Sequence, residues 1–222
     1  MLRLTVFALT GAACLCAADD RLKFDNDLVR VLKVVDQPGR KSALHRHDVN
    51  RVMIYLDAGA IDLKHDDGRV EHQRWKPHQV AWSPSGGMHT SENVGKAGSL
   101  RIVEIELKTP GPAGGGAKRD ATLDPVAIDP KHNVLLLEND QVRVFRSWRE
   151  AGKSETPHEH TGRGRVVVLL TDIKATVKMA NGDAGPALED KAGEVHWTAG
   201  PVKHAGTNAG PKRFDMILVE VK

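Results

Sequence analysis

Six of the eleven histidines in this 222-residue chain fall into two sets with one spacing. His45 and His47 form a His-x-His pair, His158 and His160 repeat it 113 residues later, and His89 and His204 follow their pairs by about forty residues. On a strand, residues i and i+2 point to the same side, so each pair can aim two imidazoles at one point. The third imidazole comes from a turn: Pro84-Ser85-Gly86-Gly87-Met88-His89 in the first set, Ala199-Gly200-Pro201-Val202-Lys203-His204 in the second, where glycine permits the tight return. Three neutral imidazoles suit a divalent transition metal and leave coordination positions open for water, oxygen or substrate. A single His-x-His is more often an ordinary strand surface than a ligand pair; the duplication is what raises both sets to candidate metal ligands.

These side chains need strands, and the chain supplies them twice. Asn26-Asp27-Leu28-Val29-Arg30-Val31-Leu32 matches Asn139-Asp140-Gln141-Val142-Arg143-Val144-Phe145, and Arg51-Val52-Met53-Ile54-Tyr55-Leu56 matches Arg165-Val166-Val167-Val168-Leu169-Leu170 after one inserted residue. Trp82 and Trp197 each precede the third histidine by seven positions, and Ile102 to Leu107 pairs with Met216 to Val221. Short Val/Ile/Leu runs alternate with charged residues at period two and are punctuated by Gly, Pro, Asp and Asn, which predicts an all-β protein with little helix. Two repeats of this size imply duplicated domains rather than a solenoid. The expected division is a leader over 1–18, a first domain over 19–108, a Pro/Gly-rich linker over 109–129 and a second domain over 130–222.

With these residues in place, the chain resembles the cupin superfamily, specifically the bicupins. The first cupin motif, Gly-x5-His-x-His, matches Gly39, His45 and His47, and again Gly152, His158 and His160; the second matches Pro84, Gly86, His89 and Asn93 fully, and Gly200, His204 and Asn208 more loosely. The resemblance implies two tandem jelly-roll β-barrels, each with a metal inside its mouth. One departure stands out. The position of the family's glutamate ligand holds Arg51, four residues after His47, and Arg165, five after His160. A guanidinium cannot ligate a metal, so the implied site is three-histidine, as in the three-histidine cupin dioxygenases. Lacking a carboxylate, such a site keeps the full charge of its ion and favours an anionic ligand, whose carboxylate Arg51 and Arg165 can grip with paired hydrogen bonds. The alternative, with both arginines turned outward onto surface acids, is equally open at this level.

Other residues carry weaker signals. Trp82 and Trp197 fit a core role better than a substrate wall. Glu106 and Glu220 occupy equivalent positions near the last strand of each half and fit a salt bridge better than a general base. His65, His72, His78 and His132 lack counterparts and are expected at the surface, while His196 is ambiguous. The more complete second motif of the first half makes His45, His47 and His89 the working set if the two halves divide their labour.

Met1-Leu2-Arg3 followed by an uncharged apolar stretch to Ala18 reads as a secretory signal cut after Ala18, too short to span a membrane, and predicts a periplasmic or secreted protein. Lipidation at Cys14 is the less favoured reading, because Gly11-Ala12-Ala13 lacks a large aliphatic residue at the usual place. Both cysteines, Cys14 and Cys16, lie in that segment, which removes thiol chemistry from the mature chain. The 32 Lys+Arg and 29 Asp+Glu are interspersed and aromatic residues are scarce, which argues against nucleic acid as a partner. The expected partner is a small, anionic molecule, and a homo-oligomer is compatible with the sequence. The expected cofactor is a divalent metal, Fe(II) ahead of Mn, Ni, Zn or Cu. The leading functional reading is an exported metal-dependent enzyme of dioxygenase type; the alternative is a non-catalytic module that binds a metal or small ligand.

Overall fold

A computed structural model describes residues 20–96, 98–112 and 117–222; the leader and the centre of the Pro/Gly-rich stretch lie outside the described residues. Among the described residues eighteen strands appear in two sets of nine. The first comprises β1 (Leu22–Asp25), β2 (Val29–Asp36), β3 (His45–His47), β4 (Arg51–Tyr55), β5 (Gly59–His65), β6 (Val70–Trp75), β7 (Gln79–Ser83), β8 (Gly86–Asn93) and β9 (Leu100–Leu107). After α1 (Pro125–Ile128), the second comprises β10 (Asn133–Glu138), β11 (Val142–Arg149), β12 (His158–His160), β13 (Gly164–Leu169), β14 (Ile173–Met179), β15 (Leu188–Asp190), β16 (Val195–Ala199), β17 (Val202–Asn208) and β18 (Phe214–Val221). The five-stranded sheets run β1-β2-β9-β4-β7 and β10-β11-β18-β13-β16, and the four-stranded sheets β3-β8-β5-β6 and β12-β17-β14-β15. The two halves therefore share one jelly-roll topology, element for element, and every pairing is antiparallel.

Small repeated devices explain why the same path forms twice. Asn26 and Asn139 each accept two backbone N–H bonds through Oδ1, from Leu28 and Val29 and from Gln141 and Val142, which turns the chain between the first two strands of each half. Gly39 and Gly152, the motif glycines, sit at φ 72° and 71° and donate their N–H groups to Asn93 and Asn208. The same asparagines, 2% and 1% exposed, use Nδ2 to hold the carbonyls of Asp36 and of Arg149 and Lys212. The motif asparagine is thus a clamp between loops, not a ligand.

The inner strands of the five-stranded sheets, β4 and β9 in the first half and β11, β13 and β18 in the second, are largely buried on both faces. Alternate residues of each sheet, Val29, Val31, Val52, Ile54, Val103 and Ile105 from the first half and Val142, Val144, Val166, Val168, Ile217 and Val219 from the second, form one apolar core shared by the two sheets. Trp82 and Trp197 pack against it, as their spacing suggested, and Phe24 of β1 reaches the ring of Trp197 in the other half, centroids 6.3 Å apart. The opposite faces look into each half's interior, with smaller cores around Tyr55, Ile61, Leu100 and Ile102 and around Phe145, Leu169, Phe214 and Leu218. The stretch read as a linker is not all linker: α1 packs on β10 and β12, and its N-cap Asp124 is buried, accepting from Val126 N–H and paired with Arg143 at 2.9 Å. Its role was hidden because a four-residue helix leaves no periodicity to read. Among the described residues no helix is long and apolar enough to cross a membrane.

Candidate metal centres

In the C-terminal half β12 and β17 are neighbours, and their register sets His158 opposite His204, with His160 two residues on. The Nε2 atom of His160 lies 3.0 Å from that of His158 and 3.1 Å from that of His204. The outer nitrogens fix the tautomers. His158 Nδ1 donates to the Thr156 carbonyl at 2.9 Å, and His160 Nδ1 to the Glu220 carboxylate at 2.5 Å. Their Nε2 lone pairs consequently face a common point, a repulsive arrangement that a cation relieves. Metal–nitrogen bonds of about 2.0–2.1 Å place ligand nitrogens about 2.9–3.4 Å apart, between right-angled and tetrahedral geometry, and the observed spacings fit.

Burial supports this centre. His158 and His160 are 5% and 3% exposed. Burial first, and then the charge of Arg165, hold His160 well below the usual histidine range, while burial and His158 bring His204 down to about 4. Both are neutral ligands at physiological pH. Glu220 is pushed up to about 7 by burial, against the pull of Arg143 and Arg165. A further carboxylate, Glu155, accepts the Gly206 N–H at 2.8 Å and stands 3.9 Å from His158 Nε2.

The N-terminal triad also sets His45 opposite His89, with a register shift before His47 that the second half lacks, and the Nε2 atoms of His45 and His47 lie 3.1 Å apart. His45 Nδ1 lies 2.8 Å from the Ala43 carbonyl, which leaves Nε2 free to ligate. His47 differs. Its Nε2 accepts from Arg51 Nη1 at 2.8 Å, and its Nδ1 lies 3.7 Å from Glu104, too far for a hydrogen bond. Burial and then Arg51 lower His47 to about 3. This half also holds an open pocket of about 800 Å³ lined by the triad together with Tyr55 and Trp75, whose rings stack 3.8 Å apart.

Both arginines turn inward, so the surface-pairing alternative does not hold: each is 6% exposed. They meet different neighbours. Arg51 donates to Glu104 at 2.6 Å and to Ser83 Oγ at 2.8 Å. Strand pairing sets Met53 opposite Glu104 in the first half and Val167 opposite Leu218 in the second, so Arg165 has no such carboxylate. Its Nε and Nη1 are buried with no hydrogen-bond partner among the described residues, and burial lowers its pKa. Glu220 and Glu106 are equivalent, but Glu106 pairs with Arg30 at 3.5 Å instead of with a histidine.

Sequence reasoning underrated Glu220; the available signal was its parity with Glu106 opposite the two arginines across neighbouring strands. It missed Glu104 and Glu155, which have no repeat partner of their own type. His65 is a correction: its side chain is 13% exposed, lines the N-terminal cavity and faces the His89 ring, because β5 lies beside β8. His132 is likewise half-buried, bonded to Asp129, and His78 is half-buried at φ 64°; His72 is exposed as expected. His196 lies 3.3 Å from Asp190, away from the triad.

No protein-family model matches the sequence, and no curated protein matches it. Solved structures do. AerE from Microcystis aeruginosa superposes with a TM-score of 0.62 at 14% identity, over 90% of each chain. A cupin 2 conserved barrel domain protein from Leptotrichia buccalis gives 0.52 at 14% identity, over 90% of this chain and 87% of the other. The oxalate decarboxylase of Bacillus subtilis, a protein with Mn(II) centres, gives 0.61 at 13% identity, over 87% of this chain and 69% of its own. The fold is that of a bicupin. At these identities the likeness carries architecture alone, and the metal reading of this chain rests on its own two histidine triads.

Proposed function

We propose that this bicupin is an exported, metal-dependent enzyme acting on a small anionic organic molecule. The observation that carries the reading is the C-terminal triad: three imidazoles, two of them buried, with converging Nε2 atoms, one oriented by a carboxylate, beside a buried arginine with two unpaired N–H groups. His158, His160 and His204 would hold a divalent ion such as Fe(II) or Mn(II), which supplies Lewis acidity and open positions for oxygen and substrate. Glu220 keeps the proton of His160 on Nδ1 and so fixes the ring. Arg165 offers Nε and Nη1 as a fork for a carboxylate, in a site where little water competes. Glu155, whose carboxylate stands 3.9 Å from His158 Nε2, can accept or return a proton there. The uncharged run before Ala18 supports export.

The test is oxygen consumption and product formation by Fe(II)- and Mn(II)-loaded protein over a panel of small carboxylates, including oxalate and 2-oxo acids. Turnover that is lost in Arg165→Met supports the enzyme. Ligand-induced stabilisation with no turnover on any member supports the non-catalytic binding module instead.

A further inference from the structure

We infer that the two triads of this chain are not equivalent: His158, His160 and His204 hold a metal, while the Arg51–Glu104 pair keeps His45, His47 and His89 closed to one. The inference rests on the metal-binding reading above and concerns how the chain's own residues divide it.

Two differences point the same way. First, the Nε2 lone pair that His47 would give to a metal is already used by Arg51 Nη1 at 2.8 Å, and the guanidinium is held there from two further sides by Glu104 and Ser83. For an ion to enter, Arg51 must leave a buried carboxylate, or a divalent charge must sit against a guanidinium fixed on one of its ligands; both are unfavourable. In the C-terminal half Leu218 stands where Glu104 does, and Arg165, although near enough for its charge to act on His160, keeps Nε and Nη1 without hydrogen-bond partners among the described residues. Second, the carboxylate that orients the middle histidine is present in one half only. Glu220 bonds His160 Nδ1 at 2.5 Å, whereas Glu106 is engaged by Arg30.

The consequence is that the cavity beside the N-terminal triad belongs to a metal-free half. The motif that is more complete in sequence thus sits in the half that does not load.

Elemental analysis of the full-length protein after saturation with Mn(II) or Zn(II) and desalting tests this. One ion per chain is expected, kept by His89→Ala and lost by His204→Ala, with circular dichroism confirming that each variant is folded. Dismantling the latch, in Arg51→Met with Glu104→Leu, should raise the count to two in protein whose circular dichroism matches the wild type. Two ions in the wild type would overturn the inference while leaving the metal reading intact. One ion lost by His89→Ala and kept by His204→Ala, or a latch variant that stays at one, would also overturn it. No ion in the wild type would instead remove the metal reading itself.

Discussion

Replacing Glu220 by glutamine isolates what a single oxygen does for the C-terminal centre. The substitution keeps shape and burial at a site only 4% exposed, but exchanges an ionisable acceptor, 2.5 Å from His160 Nδ1, for a neutral amide. A charge-assisted bond becomes an ordinary one, the imidazole loses donor strength toward a metal, and the amide can rotate to present an N–H that the Nδ1–H cannot use. Partners of this kind are worth about 10–100-fold in metal affinity. That range corresponds to about 1.4–2.7 kcal/mol. The assay is competition with a chelator of known affinity at fixed pH, comparing the wild type with Glu220→Gln. Glu106→Gln is the internal control, since its carboxylate meets Arg30 and not a histidine. Affinity unchanged within twofold in Glu220→Gln, or an equal loss in Glu106→Gln, would refute the reasoning that the carboxylate orients the ligand.

Arg165→Met should stabilise the metal-free protein while abolishing its response to small carboxylates. It removes two buried donors without partners and is worth about 1–4 kcal/mol, or about 2–4 °C in Tm per kcal/mol for a chain of this size; thermal unfolding after chelation measures it. The pH dependence of the metal-free fold has a definite sign. His47, His160 and His204 stay neutral when folded and take up protons near 6.5 when unfolded, whereas Glu220 holds its proton up to about 7 when folded and releases it near 4.5 when unfolded. Between these values the unfolded chain binds more protons overall, three histidines against one glutamate, so urea midpoints should fall as pH drops from 6.5 towards 4.5. Asn208→Ala and Asn93→Ala should each cost about 2–4 kcal/mol in urea unfolding, because loop carbonyls and a glycine N–H lose their partner in a buried clamp. N-terminal sequencing of protein recovered from the periplasm or medium should begin at Asp19; an intact Met1 there would refute the proposed cleavage.

The fold was legible because its signals are local and occur twice. Period-two patterning marked the strands, and the repeated Asn26/Asn139 and Gly39/Gly152 positions are the turns that set their order. The six histidines were legible for the same reason. What could not be read was the interior neighbour of each arginine. Glu104 and Leu218 are equivalent in register, yet one binds an arginine and the other cannot. A repeat search rewards sameness, and the functional difference between the halves lies where the repeat fails. His65 was misplaced for a related reason: the surface expectation treats an isolated histidine alone, whereas its position depends on β5 lying beside β8.

The apolar core shared by the two five-stranded sheets bears on ancestry. Either half made alone would expose the face that carries Val52, Ile54 and Ile105 or Val166, Val168 and Val219, an apolar patch far too continuous for a solitary soluble barrel. The natural remedy is a second copy across a two-fold axis. The present chain is then a tethered homodimer, and the tether is what allowed its members to diverge: once two copies are joined, a substitution such as Glu for Leu at one position no longer appears in both. Asymmetry between the two centres is a liberty that a true homodimer never has.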